Sequence, residues 1–264
     1  KINLNSREIY LDARMPVGFD ILSIDIGINY QLSNISGAEK FTIPVKPFGN
    51  FIHNWMKFVS NLIAKNNTPE LSIIGAGVAG CELALCMNYK IKSLGWKPKI
   101  YLIDRKEIAE NLPARVKSKI FKLLNENKII LRNNVNISSI AKGKIYVENG
   151  EIISSDLILS AAGGKPHNWL SETGLSLENG FISTNQSLQS VSHDYVFASG
   201  DCASIINSPT QKAGVFAVRA APFLYQNILN YVTSKKLRKY TPQKNFLQAV
   251  TFSNKKAFMF WGNI

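Results

Sequence analysis

Gly75, Gly77 and Gly80, set in the run Gly75-Ala76-Gly77-Val78-Ala79-Gly80, and the carboxylate of Asp104 are the residues whose types and spacing most directly suggest chemistry. A GxGxxG of this kind is weak by itself, because so short a pattern arises by chance. Its surroundings strengthen it: an apolar strand at 71–74 comes before, a helix at 78–93 follows, and a second strand at 99–103 ends on Asp104. Gly75 permits a tight turn, Gly77 leaves room for a pyrophosphate to approach, and Gly80 lets the helix lie close to the strand. The N–H groups of residues such as Val78 and Ala79, at the positive end of the helix, would then face the phosphates. Asp104 follows Gly80 at close to the ~20-residue spacing at which an acid meets both hydroxyls of an adenosine ribose. That favours NADH, while Arg105 beside it would suit a 2′-phosphate and keeps NADPH open. The plain alternative is a glycine-rich turn that holds no ligand.

Such a turn needs a parallel α/β scaffold, and the neighbouring pattern supplies one. Residues 113–126 have helical apolar spacing, with Pro113 acceptable at a helix start, and 129–131 read as a strand. Short strands at 135–140, 144–147 and 151–153 suggest a β-meander with a turn at Glu148-Asn149-Gly150. Residues 156–161 are almost wholly apolar, as in a strand buried on both faces of a parallel sheet; Tyr195-Val196-Phe197-Ala198 is a second such run, closing on Gly200-Asp201. Upstream, 2–11 reads as a hairpin around Asn5-Ser6, and 19–26 alternates as a strand. Residues 50–65 place Trp55, Phe58 and Ile63, among others, at helical spacing. Downstream, 214–232 is a long helix in which Pro222 must mark a kink or a new start. Residues 246–252 and 256–261 are two strands around Ser253-Asn254.

Composition narrows the class. The 264 residues suffice for two domains or one large one. A hydrophobic share of 45% with 19% charged residues describes a folded chain and excludes a disordered one. No apolar run approaches the ~20 residues a membrane span needs, and no secretory leader opens the chain. Cys81, Cys86 and Cys202 form neither a CxxC pair nor a metal-ligand cluster, and read as packing residues in a reducing cytoplasm. The formal net charge is +13, yet the lysines are scattered. The densest cluster, Lys235, Lys236, Arg238 and Lys239, lacks the aromatic platform or recognised module of a nucleic-acid binder. Nucleic acid is therefore not expected as a partner, whereas an anionic membrane surface or an acidic protein would suit the charge. A first residue Lys1 and an ending inside an apparent strand at Phe260-Trp261 suggest an incomplete polypeptide.

Together the motifs resemble those of the pyridine nucleotide–disulfide oxidoreductase superfamily, flavoproteins in which an NAD(P)H domain is inserted into an FAD domain. SIIGAGVAGCELA (72–84) resembles the NAD(P)H fingerprint, including Glu82 just after the third glycine. DLILSAAGGKP (156–166) resembles the strand that leaves the NAD(P)H domain towards a glycine hinge, here at Gly163. STNQSLQSVSHDYVFASGDCA (183–203) resembles the second FAD motif. The resemblance implies that Asp201 bonds the FAD ribitol and that Gly200 permits close approach. Gln211-Lys212-Ala213-Gly214 would open a helix whose N-terminus faces the flavin pyrimidine ring, where its dipole would stabilise reduced flavin. Glu82 would lie near the nicotinamide amide. The alternatives are a turn or helix cap for Asp201 and a solvated helix-face carboxylate for Glu82. FDILSIDIG (19–27), IPVKPFGNF (43–51), KAGVFAVRAAP (212–222) and RKYTPQKNFL (238–247) are similar to the flavoprotein module fused to the N-terminus of selenide, water dikinases. A more distant similarity is to type II NADH dehydrogenases.

The implied fold is α/β, with Rossmann-like FAD- and NAD(P)-binding domains and the NAD(P) domain inserted in an incomplete FAD domain. Residues 1–45 would be the end of the first FAD segment, 46–165 the NAD(P)H domain, 166–232 the second FAD segment, and 233–264 the start of a C-terminal β-rich domain. A complete member begins with a further GxGxxG for the FAD pyrophosphate, and this chain has a single such motif. It also lacks a dikinase half and a redox-active cysteine pair. The implied activity is that of an FAD-dependent NAD(P)H oxidoreductase, here a fragment, in which hydride passes from nicotinamide C4 to flavin N5 and electrons go on to an unidentified acceptor. The cofactors do the bond chemistry and the protein supplies position and electrostatics. No general acid or base is expected, and His53, His167 and His193 read as loop or surface residues. The competing expectation is a non-catalytic nucleotide-binding module that regulates a fused or associated partner, such as the dikinase.

Overall fold

The apolar runs flanking the glycine motif form neighbouring parallel strands in a computed structural model, which describes the chain except Gln31, Ser33, Asn66, Asn67, Asn111, Asn254, Lys255, Asn263 and Ile264. Asn254 of the expected turn and the side chain of Ile63 lie outside the described residues. The chain forms two units, residues 1–29 with 164–244 and residues 30–163 with 245–264. In the second unit a parallel sheet runs in the order Ile43–Pro44, Leu157–Ser160, Glu70–Ile74, Lys99–Ile103, Ile130–Arg132. Leu71 pairs with Leu157 on one side and Ile100 on the other, and Ile73 with Leu159 and Leu102. Successive strand side chains point to opposite faces. Leu71, Ile73, Ile100, Leu102, Leu157 and Leu159 therefore enter one core with Cys81, Leu85 and Ile120 from the helices Val78–Ser93 and Ala114–Glu126. Ile74, Tyr101, Ile103 and Ile158 enter another with Ile140, Ile145 and Ile153 of the antiparallel meander Ile137–Ala141, Lys144–Val147, Ile152–Ser154. Cover on both faces is why these strands read as continuous apolar runs. It is the α/β, Rossmann-like arrangement expected.

The hairpin Leu247–Ser253/Lys256–Trp261 belongs to this unit. Val250, Phe258 and Phe260 lie in the helix-side core, and the Lys119 ammonium sits 4.6 Å from the Phe258 ring centroid. The units thus change at 29/30 and 163/164, where the sequence placed boundaries at 45/46 and 165/166. Residues 245–264 join the nucleotide unit because the hairpin's apolar face is buried there, whereas 233–244 stay with the other unit.

In that other unit, Leu22–Ile24 pairs in parallel with Val196–Ala198, so the strand expected over 19–26 is shorter. The N-terminal hairpin gains a third strand, giving Ile2–Asn3, Glu8–Ile9, Val17–Gly18. A further sheet, Leu177–Glu178, Phe181–Thr184, Ala203–Ile205, had no expectation attached to it. Leu22, Ile24, Leu170, Ile182, Val196, Ala198 and Cys202 form the core. The helix Gly214–Val232 runs unbroken through Pro222, so the alternative of a new start there is excluded. Pro222 has no N–H for the Val218 carbonyl, and Val218 lies on the exposed side of the helix.

Candidate functional site

The glycine turn is built by close backbone approach. Gly75 leaves the Glu70–Ile74 strand with φ +105, and its N–H donates to the Ile103 carbonyl at 2.8 Å. A Cβ on Gly75 would lie 2.5 Å from Ala162 Cα and 2.6 Å from the Ala161 carbonyl carbon, so only glycine fits. A Cβ on Gly80 would strike the Gly75 carbonyl group, which sets how near the helix comes to the strand. Gly77 differs. It is the N-cap of Val78–Ser93 without a side-chain cap, its carbonyl accepts the Cys81 N–H at 3.1 Å, and a Cβ there would meet nothing within 4 Å. The N–H groups of Val78, Ala79 and Gly80 in the first turn have no intrahelical acceptor. Uncapped donors at the positive helix end, behind a residue with no side chain, fit a pyrophosphate.

Asp104 stands just past the Lys99–Ile103 strand. Its Oδ2 accepts the Ala76 N–H at 2.7 Å and its Oδ1 accepts the Lys106 N–H at 2.9 Å. Besides the ribose expected for it, Asp104 thus holds the glycine loop to the next strand. Each carboxylate oxygen keeps a second lone pair with which to accept a further hydrogen bond. Arg105 is exposed beside it, and the Lys106 ammonium pairs with Glu110 at 2.8 Å. Glu82, half-buried on the same helix, accepts the backbone N–H of Thr251 from the C-terminal hairpin at 2.8 Å. It is therefore not the freely solvated carboxylate of the alternative reading. Gly163, with φ +50, ends the stretch after which the chain passes into the other unit.

The thiols are quiet. Burial, reinforced by the charges of Glu82 and Asp104, pushes the Cys81 pKa up to about 12. Burial also raises Cys86, with Glu82 adding to it, and Cys202. Protonated thiols are poor nucleophiles at neutral pH.

The flavin-like set lies in the other unit. Val196–Ala198 ends at Ser199, and Gly200 turns with φ +69. A Cβ on Gly200 would lie 2.9 Å from Asp25 Oδ1 and 3.4 Å from Ala217 Cβ, so the first turn of Gly214–Val232 packs directly onto the Gly200-Asp201 turn. Ala213 is the extended N-cap of that helix with no side-chain cap, and a Cβ on Gly214 would meet nothing within 4 Å. Strand end, acid and open helix start are thus adjacent, which fits an anionic ring edge at the helix N-terminus. The Lys212 side chain turns back to the sheet: its ammonium donates to the Ala203 carbonyl at 2.6 Å and sits 3.9 Å from the Phe181 ring centroid. Burial pushes its pKa down, opposed by the charges of Asp201 and Glu178. His167 is held between Asn29 and the Ile26 carbonyl, His193 contacts Ser192, and His53 is exposed on the helix Phe48–Lys65.

Gly75, Gly77, Val78, Ala79, Gly80, Glu82, Asp104, Arg105 and Gly163 therefore belong to one unit, and Gly200, Asp201, Lys212, Ala213 and Gly214 to the other. Two participants escaped the sequence. The floor of the turn, Ala161-Ala162, was signalled by the small-residue run that precedes Gly163. Thr251 carried no signal, since its contribution is a backbone N–H brought from the far end of the chain.

Residues 32–221 match the family described as pyridine nucleotide-disulphide oxidoreductase. The chain is 25% identical over 211 residues to the NADH dehydrogenase-like protein YutJ of Bacillus subtilis, covering 79% of this chain and 57% of that protein. It is 29% identical over 191 residues to the rubredoxin-NAD(+) reductase of Acinetobacter baylyi, covering 70% of this chain and 46% of that one. It thus spans about half the length of these curated relatives. The fold is similar to that of a ferredoxin reductase from Rhodopseudomonas palustris, with TM-score 0.72 and 17% identity over 94% of this chain and 62% of that one.

Proposed function

Because the chain belongs to the pyridine nucleotide-disulphide oxidoreductase family, we propose that it is the nucleotide-binding part of an FAD-dependent NAD(P)H oxidoreductase that passes electrons on to a separate acceptor. The single observation that carries this reading is Gly77, an uncapped helix start with open space where its side chain would be, braced by Gly75 and Gly80. When bound, NAD(P)H supplies the hydride and FAD receives it. The chain's own residues bind and orient. The N–H groups of Val78, Ala79 and Gly80 take the pyrophosphate, and Asp104 takes the ribose hydroxyls, which favours NADH; Arg105 is the residue placed to meet a 2′-phosphate. In the other unit Gly200 allows close approach, Asp201 accepts from the ribitol, and the start of Gly214–Val232 lends positive potential to the flavin pyrimidine edge. The names of the two curated relatives support NADH as donor and a small redox protein as one class of acceptor. A dikinase-associated regulatory role rests only on the subgroup likeness of stretches such as RKYTPQKNFL, and no structural observation favours it.

Titration of the purified chain with NADH and NADPH, followed by nicotinamide fluorescence, tests the donor site. NADH should bind at least about tenfold more tightly, a difference of ~1.4 kcal/mol, and Asp104→Ala should erase that preference. Binding of neither nucleotide would sink the reading. For the flavin half, the full-length protein should be yellow and bleach anaerobically with NADH; a colourless protein unable to take up FAD would overturn it.

A further inference from the structure

Glu82 and Thr251 lie in different segments of the nucleotide unit, 169 residues apart in sequence, yet Thr251 N–H donates to Glu82 Oε1 at 2.8 Å. We propose that the C-terminal hairpin is a positioning element of the nucleotide site, in which the Thr251 N–H holds the Glu82 carboxylate ready to accept the carboxamide N–H of the nicotinamide. The inference rests on the dinucleotide reading above and deepens it.

Glu82 is in the second turn of Val78–Ser93, one turn beyond the phosphate-facing N–H groups. A glutamate side chain there loses rotamer freedom whenever a ligand fixes it, an entropic cost to binding. A hydrogen bond from a backbone N–H to a carboxylate is of the stronger, charge-assisted kind. Made before the ligand arrives, it removes that cost from binding, and it occupies only one carboxylate oxygen, leaving Oε2 to accept from the nicotinamide. The donor itself is well anchored. Its neighbour Val250 is fully buried, Phe258 and Phe260 enter the same core as Cys81 and Leu85 of the Glu82 helix, and Lys119 rests on the Phe258 ring. The strand Leu247–Ser253 pairs with Lys256–Trp261 along one edge, and the register shifts between Thr251 and Ser253. Alternate N–H groups of a strand paired on one side face away from its partner, and that of Thr251 points to Glu82.

Those facts set the experiment. Thr251→Pro deletes the donor at an irregular edge position, where proline is tolerated, and the conservative Thr251→Ser restores it. NADH and ADP-ribose are titrated in parallel, because ADP-ribose keeps the pyrophosphate and both riboses but lacks the nicotinamide. The expected result is an approximately tenfold weaker NADH affinity in Thr251→Pro with ADP-ribose affinity unchanged, a parental ratio in Thr251→Ser, and no effect of Thr251→Pro when it is made in a Glu82→Ala background. An unchanged NADH to ADP-ribose ratio in Thr251→Pro overturns the inference. Failure of the parent to bind ADP-ribose overturns the dinucleotide reading instead. Should Thr251→Pro not fold, the backbone amide resonance of Thr251 in the parent decides: NADH must shift it and slow its hydrogen exchange while ADP-ribose does not, and equal responses to both ligands overturn the proposal.

Discussion

The three glycines of the turn do different work, and alanine at two of them, Gly80 and Gly77, separates packing from binding. At Gly80 an added methyl would collide with the Gly75 carbonyl group, and neither backbone segment can yield without parting helix from strand. Gly80→Ala should therefore destabilise the nucleotide unit by at least the ~1–3 kcal/mol of an overpacked core. At Gly77 the backbone is in an ordinary region and the methyl would meet nothing within 4 Å. Gly77→Ala should change stability by less than ~1 kcal/mol, the scale of an N-cap exchange, yet weaken NADH and ADP-ribose alike by closing the approach to the Val78, Ala79 and Gly80 donors. Urea unfolding and ligand titration on the two variants check both halves; a Gly77→Ala protein that binds as the parent does would contradict the pyrophosphate assignment. The positions of these glycines and of Asp104 were legible because a short local motif encodes them. The tie from Asp104 to the Ala76 N–H was not, since a spacing names an acid without saying which backbone donor it reaches. Thr251 was less legible still: any residue but proline offers an N–H.

Elements were legible in proportion to their length and burial. The strands Glu70–Ile74, Lys99–Ile103 and Leu157–Ser160 and the helices Val78–Ser93 and Gly214–Val232 announce themselves through uninterrupted apolar runs or helical spacing. Two-residue strands such as Val17–Gly18, Ile43–Pro44 and Leu177–Glu178, and the four-residue helix Ala38–Phe41, fall below any window in which a period can be read. Polar clasps between elements escape for the same reason that Thr251 does. Asn227, fully buried on the Gly214–Val232 helix, donates to the Ser187 and Arg238 carbonyls at 2.8 Å each and accepts the Arg238 N–H at 2.7 Å. It joins the helix to the 185–188 turn and to the segment after the helix. Asn227→Leu keeps the bulk and strands those backbone groups in a buried site, which should cost ~1–3 kcal/mol. The expected reading is a lower urea midpoint with an unchanged m value, and an unshifted midpoint would show that the clasp contributes nothing.

For the whole molecule, the order of segments was legible and their grouping was less so. The sequence suggested a chain that leaves one nucleotide domain, builds another and returns, and the two units are interleaved in that way, as 1–29 with 164–244 and 30–163 with 245–264. It did not show where residues 245–264 go, because a hairpin with one apolar face pairs with whatever core accepts that face; here Val250, Phe258 and Phe260 complete the core of the nucleotide unit. The interleaving has a thermodynamic consequence. A ligand that binds only the folded form adds RT ln(1 + [L]/Kd) to the free energy of opening, ~2.7 kcal/mol at a hundredfold excess over Kd. The slowest-exchanging amides should be those of Glu70–Ile74 and Lys99–Ile103, strands flanked on both sides in the sheet. Saturation with ADP-ribose should slow their exchange by about a hundredfold at that excess. If the C-terminal hairpin unfolds with this unit, the amides of Val250 and Phe258 must gain the same protection although they lie far from the pyrophosphate donors in sequence. Protection confined to residues 70–104, with the hairpin exchanging as fast as before, would show that the hairpin opens independently of the sheet and is not part of its cooperative core.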